Sequence, residues 1–127
     1  KGVTVGLGSD VGAGTSFSLL KTMAEAYKVS TFHQQKLSPL QAFHAATLGG
    51  AECLGRDHAI GNFASGKEAD FIVVDLHATA LQRLRISEEL SIQEKLFALM
   101  MLGDDRNIVS TYLAGKIQGD RRIPSTK

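Results

Sequence analysis

The chain has 127 residues, of which 43% are hydrophobic and 21% are charged, and its formal net charge is +1. This composition is typical of a globular polypeptide with a buried core, and so small a net charge excludes the strong basic field of a nucleic-acid-binding or membrane-surface protein. No apolar run is long enough to span a bilayer, and the single cysteine excludes an intrachain disulfide or a CxxC zinc site. We expect a cytoplasmic protein and, since the sequence starts at Lys1 without a leader pattern, the tail of a longer polypeptide.

Residues 3–16 contain an apolar run, an acidic residue that follows it, Asp10, and the start of a predicted helix. Apolar residues alternate with small or polar ones up to Leu7, which predicts a short strand that ends near Asp10. Glycines in this stretch allow tight turns, and Thr15 or Ser16 can cap the following helix. Because residues at the carboxyl ends of barrel strands carry the chemistry of such folds, Asp10 is a candidate catalytic residue.

Two amphipathic helices are predicted next. Apolar side chains recur at near-helical spacing over residues 17–29, with charged residues between them. Ser38 followed by Pro39 is a helix-start signal, and the glycine pair at residues 49–50 is expected to end this second helix.

The second half of the chain is predicted to form a strand, a helix and a hairpin. The strand covers residues 71–74, and the helix covers residues 88–102 up to Gly103. A strand over residues 108–113 is followed by a two-residue turn and a return strand that starts at Lys116. This order indicates an α/β or α+β fold, and the chain has about half of the roughly 250 residues that an eight-stranded α/β barrel needs.

The glycine-rich motifs of residues 6–17 do not indicate a nucleotide-binding loop. The third glycine of that fingerprint is replaced by Val11 in one frame and by Phe17 in the other. Residues 8–12 also resemble the nucleophile elbow of hydrolases, with Asp10 in the position of the serine. The chain is too short for the parallel sheet which that motif requires. From the residues alone, Asp10 is as compatible with a structural turn as with a functional carboxylate.

The other polar candidates favour structural roles. The histidines have neither HxH nor HxxxH spacing, so no local pair can hold a metal, and each is expected to be packed or on the surface. They are His33, His44, His58 and His77. Cys53 is expected to be a small core residue, and residues 104–106 to be a helix stop with a local ion pair worth less than ~1 kcal/mol.

Four sequence blocks resemble the C-terminal part of guanine deaminases, a family of the metal-dependent amidohydrolase superfamily. They are GSDVGAGTS at residues 8–16, ATLGGA at 46–51, IGNF with GKEADF within 60–71, and LGDDRNI at 102–108. The middle two blocks are shared across the superfamily, whereas the first and last indicate guanine deaminase. The resemblance covers nearly the whole chain.

This resemblance implies an α/β fold made of two parts. Residues 1–58 are expected to be the C-terminal portion of a metal-dependent (β/α)8 barrel, comprising its last strand and the outer helices that follow. Residues 59–127 are expected to be C-terminal strands of a small β-sandwich with an intervening helix.

The resemblance also implies the chemistry. Asp10 is expected to lie at the metal, zinc in the first instance, and to handle a proton while guanine is hydrolysed to xanthine and ammonia. The other metal ligands, a second proton carrier and the purine contacts belong to strands upstream of this chain. The isolated chain is therefore expected to be inactive and to bind zinc only weakly.

The implied partner is the small molecule guanine, with no nucleic acid and no membrane. Unpaired strand edges and a bare apolar face favour a homo-oligomer or a larger parent chain. Two alternatives remain: another amidohydrolase that acts on a different purine or on a triazine, and a noncatalytic assembly module.

Overall fold

A computed structural model describes residues 2–121. Three helices lie in the first half of this part of the chain, and two more helices and a three-stranded sheet lie in the second half. The helices are α1 (Leu19–Phe32), α2 (Pro39–Ala46), α3 (Leu48–Cys53), α4 (Ala80–Arg85) and α5 (Ile92–Leu102), and a 3-10 turn covers Asp105–Asn107. The strands are β1 (Phe71–Val74), β2 (Ile108–Leu113) and β3 (Lys116–Asp120).

Reciprocal side-chain caps start three of the helices. Ser38 accepts from the backbone N–H of Gln41, whose side chain in turn accepts from the N–H of Ser38, and Pro39 fits the first helical position. The same arrangement starts α4 at Thr79 and α5 at Ser91. The helix start predicted at residues 38–39 is confirmed.

The core lies where α1, α2 and α5 meet. Leu20 and Met23 of α1 are buried together with Ala42 of α2 and with Leu99 and Met100 of α5. At the edge of this cluster the rings of Tyr27 and Phe97 meet edge to face, with their centroids 5.2 Å apart. The middle of the apolar periodicity predicted over residues 17–29 therefore marks the buried face of α1, which runs from Leu19 to Phe32. The two end residues of that pattern, Phe17 and Val29, are exposed.

The sheet is antiparallel in the order β1-β2-β3. Phe71 pairs with Tyr112, and their rings stack with centroids 4.4 Å apart. Ala114 and Gly115 turn the chain between β2 and β3 with positive φ angles, and the Ala114 N–H donates to the Asp70 carboxylate at 2.7 Å. The strand at residues 71–74 and the hairpin that follows residue 108 are thus confirmed.

Three predictions of element bounds differ from the structure. Residues 3–7 form no paired strand within residues 2–121, because no described strand lies beside them. This segment is held instead by a hydrogen bond to α2, in which the Leu7 N–H donates to the Ala45 carbonyl at 2.8 Å. The glycine pair at residues 49–50 lies inside α3 rather than ending a helix. The break falls at Thr47, whose φ of −127° and ψ of −96° are not helical. The last predicted helix starts at Ile92 rather than at residue 88, since Ser91 provides its cap.

The glycines of α3 allow the N-terminal segment to approach closely. A Cβ added at Gly49 would lie 2.9 Å from the Val5 carbonyl oxygen, and one added at Gly6 would lie 2.9 Å from the Cα of Gly50. Small residues at these positions therefore bring the segment that leads to Asp10 against α3. Cys53, at the end of α3, is exposed, so the expectation that it is a core residue is wrong.

Candidate functional site

Asp10 lies in a tight loop between the N-terminal segment and α1. Its backbone has a φ of 50°, and its carbonyl accepts from the N–H groups of Ala13 at 3.0 Å and Gly14 at 2.5 Å. A Cβ at Gly14 would overlap the carbonyl oxygen of Ser9, so the loop requires glycine there. The left-handed backbone at Asp10 is uncommon for a residue with a side chain, and such positions occur often at functional sites.

The Asp10 side chain is exposed, and within residues 2–121 its carboxylate has no hydrogen-bond or ion-pair partner. It lines neither of the two clefts described for this part of the chain. No three residues among the described His, Cys, Asp and Glu come together to hold a metal ion. The described residues therefore offer one available carboxylate at this position and no closed metal site.

The histidines have separate surroundings. His77 donates through Nε2 to the Ile86 carbonyl at 3.0 Å, His33 meets the ring of Phe32, and His58 is exposed. His44 lines a small cleft of about 410 Å³ between α2, α3 and residues 2–5. These positions agree with the prediction that the histidines are packed or on the surface.

A larger cleft, which we call the helix–sheet cleft, separates the start of α1 from the sheet. Its volume is about 1040 Å³. Most of its lining is apolar, including Phe17, Met23, Phe43, Phe71, Ile72 and Tyr112. No sequence pattern predicts this cleft, because it forms between helices of the first half of the chain and strands of the second half.

The ion pair predicted at residues 104–106 is confirmed. Arg106 contacts both carboxylate oxygens of Asp104, the shortest distance being 2.6 Å from Nη2 to Oδ2. These hydrogen bonds hold the pKa of Asp104 below its usual value, and Lys21 adds a smaller effect in the same direction. Asp104 and Lys21 both line the helix–sheet cleft.

A buried amide pair joins α4 to the 3-10 turn that follows α5. Gln82 and Asn107 are fully buried, and each side-chain amide donates to the oxygen of the other at 3.1 Å. Gln82 also donates to the Leu102 carbonyl, and Asn107 to that of Asp75 at 2.6 Å. We predicted neither α4 nor this pair from the sequence, although Thr79 followed three residues later by Gln82 is a capping-box pattern that could have located the helix start.

Comparisons with known proteins agree with the resemblance found in the sequence. A model of the amidohydrolase family matches residues 1–118. Guanine deaminase of Escherichia coli K12 is 52% identical over 121 residues, which cover 95% of this chain and 28% of that protein. Guanine deaminase of Homo sapiens is 37% identical over an alignment that covers 90% of this chain and 27% of that protein.

Solved structures give the same result. The E. coli guanine deaminase structure matches 94% of this chain and 28% of its own chain with a TM-score of 0.90 and 52% identity. Guanine deaminase from Bradyrhizobium japonicum matches 94% of this chain and 32% of its own with a TM-score of 0.82 and 34% identity. The chain thus spans only about a quarter of the length of the curated relatives it matches.

Proposed function

Because the chain belongs to the amidohydrolase family, we propose that it is part of a guanine deaminase and that Asp10 is its catalytic and metal-binding residue. The reaction is the hydrolysis of guanine: the oxygen of a water molecule bonds to C2, the bond from C2 to the amino nitrogen breaks, and xanthine and ammonia leave. The observation that carries this proposal is the 52% identity to the E. coli enzyme over 121 residues.

The surroundings of Asp10 support its role. Its carboxylate is exposed, has no partner within residues 2–121, and lies in a loop that Gly14 keeps tight. A carboxylate held on a fixed loop without an internal partner is free to accept a proton from the attacking water. The sequence block at residues 8–16, which is part of the resemblance to guanine deaminases, surrounds this residue.

The described residues do not by themselves fit a metal centre. Zinc takes three or four protein ligands, whereas the described part of the chain brings no three candidate ligands together. We propose zinc as the metal and place its other ligands outside these residues, in the part of a guanine deaminase that the chain does not match. No step of the reaction is therefore assigned to a metal bound by this chain alone.

A hybrid polypeptide tests the proposal. It consists of the portion of E. coli guanine deaminase outside the matched region, joined in that enzyme's order to this chain. With 52% identity over the replaced part, the hybrid is expected to fold and to release xanthine from guanine at a rate near that of the E. coli enzyme. A folded hybrid with metal bound that releases no xanthine would contradict the proposal.

The location of the protein and its oligomeric state belong to the same proposal. A reducing, cytoplasmic location is supported by the exposed free thiol of Cys53. Separately, none of the described helices has the length and apolar character to cross a membrane. A homo-oligomer is supported by exposed apolar side chains such as Phe17 and Phe32, and sedimentation of the hybrid measures it directly.

A further inference from the structure

The backbone conformation of Asp10 is imposed by residues 9–14, which we call the Asp10 loop. Asp10 has a φ of 50°, in the left-handed region that residues with a side chain rarely adopt. A residue persists in this region only where the surrounding structure enforces the conformation. The direction of the Asp10 side chain therefore depends on the contacts that hold this loop closed.

Two hydrogen bonds close the Asp10 loop on a single oxygen atom. The N–H groups of Ala13 and Gly14 both donate to the Asp10 carbonyl, at 3.0 and 2.5 Å. This carbonyl belongs to the peptide group that follows Asp10, so the two bonds fix the orientation of that group. They hold one of the two peptide groups between which the Asp10 side chain is attached.

Gly14 also contacts the peptide group that precedes Asp10. A Cβ added at Gly14 would overlap the carbonyl oxygen of Ser9 and would lie 3.0 Å from that of Asp10. Both oxygens are backbone atoms, which cannot rotate away as the end of a flexible side chain does. A side chain at residue 14 would therefore displace the peptide groups on both sides of Asp10 and turn its Cα–Cβ bond.

The other glycines near Asp10 have no comparable contact. A Cβ added at Gly8 or at Gly12 would meet no described atom within 4 Å beyond its chain neighbours. Gly12 is required for its own backbone conformation, since its φ is 106°. Within residues 8–14, a collision with the peptide groups beside Asp10 is thus specific to Gly14.

We infer that Gly14 is a positioning residue for Asp10. Its lack of a side chain lets the loop pack against both peptide groups that flank Asp10, and this contact sets the direction in which the carboxylate points. Proton transfer requires the carboxylate to lie within hydrogen-bond reach of the attacking water, and a displacement of about 1 Å costs on the order of 10²-fold in rate. The inference rests on the proposed function, because Gly14 acts through the carboxylate of Asp10.

The kinetic constants of the hybrid for guanine test the inference. Gly14→Ala should lower kcat by a factor on the order of 10 to 10². KM should change less than about twofold, because residue 14 lines neither of the described clefts and the substitution adds no group to them. A folded Gly14→Ala hybrid with an unchanged kcat would overturn the inference.

Gly119→Ala is the matched control. It adds the same methyl group to β3, at a position where a Cβ meets no described atom within 4 Å beyond its chain neighbours. This substitution should change neither kcat nor KM. An equal fall in kcat for Gly119→Ala would show that any added methyl group has this effect, and would contradict the inference.

A double-mutant cycle with Asp10→Asn shows whether Gly14 acts through Asp10. In a hybrid that already carries Asp10→Asn, Gly14→Ala should cause no further fall in kcat, because the carboxylate that it displaces is absent. Losses that multiply in the double variant would show that Gly14 affects the reaction by another route. That result would refute its role as a positioning residue for Asp10.

Ser91→Ala separates positioning from a general loss of stability. Ser91 caps α5 through hydrogen bonds with Glu94 and not with the Asp10 loop. Its removal should lower the melting temperature of the hybrid and leave kcat unchanged at a temperature well below the transitions of both variants. If Ser91→Ala lowered kcat as much as Gly14→Ala does, the loss would reflect stability and the inference would fail.

If the Gly14→Ala hybrid does not fold, Ala13→Pro takes its place. Proline has no N–H, so this variant removes one of the two donors to the Asp10 carbonyl and keeps Gly14. It should lower kcat with KM nearly unchanged, and it should have no further effect in the presence of Asp10→Asn. A folded Ala13→Pro hybrid with normal kcat would show that closure of the loop does not position Asp10.

Zinc content distinguishes failure of this inference from failure of the proposed function. A folded hybrid without these substitutions that releases no xanthine would oppose the proposed function. The zinc retained after dialysis then decides the inference, because a displaced Asp10 carboxylate should lose metal as Asp10→Asn does. Zinc content that falls with Asp10→Asn but not with Gly14→Ala would overturn the inference alone, and zinc content that Asp10→Asn leaves unchanged would contradict both.

Discussion

Asp10 is the residue on which the proposed chemistry depends. Asp10→Asn keeps the size of the side chain but cannot accept a proton, so kcat of the hybrid for guanine should fall by a factor on the order of 10² to 10⁴. Xanthine formation followed by absorbance measures this loss. Asp57→Asn removes a charge from another exposed carboxylate, at a position with no assigned role, and should leave kcat unchanged. Near-normal turnover of the Asp10 variant would remove Asp10 from the mechanism.

The buried amide pair of Gln82 and Asn107 gives a second prediction at this scale. Asn107→Ala leaves the amide of Gln82 without one of its partners inside the protein, at a cost of about 1–3 kcal/mol in the free energy of unfolding. Ser110→Ala is the matched control, since Ser110 is also buried but its hydroxyl has no partner in the described structure. That substitution should cost much less. Urea unfolding of the 127-residue chain measures both, and equal costs would show that the amide pair contributes nothing specific.

Single residues were predictable from the sequence where the signal is local. The ion pair of Asp104 and Arg106 joins residues two apart in the chain, and the cap at Ser38 depends on a residue three positions later. The partner of Asn107 lies 25 residues away, and whether Cys53 is exposed depends on what packs around the end of α3. Side-chain type does not determine distant contacts of this kind.

At the scale of an element, the start of α5 depends on a reciprocal cap. Ser91→Ala removes the side-chain oxygen that accepts from the Glu94 N–H, and the loss of such a cap typically costs about 1 kcal/mol. Urea unfolding at neutral pH measures the cost. The Glu94 carboxylate completes the cap by accepting from the N–H and the hydroxyl of Ser91.

The cap also predicts a pH dependence. Its hydrogen bonds with Ser91 lower the pKa of Glu94 in the folded chain, so the folded state favours the ionised form. The resulting stabilisation is present above the ordinary pKa of a glutamate and is lost as the pH falls through the lowered value. Glu94→Gln should therefore destabilise the chain at about pH 7 and have almost no effect at about pH 2, as urea unfolding at the two pH values would show. An effect of equal size at both would show that the charge of Glu94 is not involved.

Elements with a cap or a turn of their own were predicted well. Strands β1 and β2 and the turn between β2 and β3 follow from apolar runs and turn residues in adjacent positions. The strand expected over residues 3–7 was not found, since a strand exists only with a neighbour and its residues cannot show whether one is present. The prediction that the glycines at 49–50 end a helix is wrong, because the sequence does not distinguish glycines that allow close packing inside a helix from glycines that end one.

At the scale of the whole molecule, membership of the amidohydrolase family was recoverable from four short blocks, and the family match over residues 1–118 confirms it. The division at residue 58 into a barrel part and a sandwich part stays a prediction. The candidate site could be predicted only as one carboxylate, and the described residues bring no group of three candidate metal ligands together. The role of Asp10 stays a prediction. The helix–sheet cleft could not be predicted, because it is formed by surfaces that distant elements leave uncovered.

Because the candidate site has too few metal ligands, we expect the isolated chain to bind metal weakly. With only one available carboxylate at Asp10 and no group of three candidate ligands in the described part of the chain, the isolated chain should retain far less than one zinc ion after dialysis. The hybrid should retain about one, because a closed site needs three or four ligands and the grafted part supplies the rest. Elemental analysis of both samples measures the difference.

Asp10→Asn should reduce the metal content of the hybrid, and Asp57→Asn should not. Stoichiometric zinc on the isolated chain, unaffected by Asp10→Asn, would place a metal site elsewhere in these residues and separate Asp10 from metal binding.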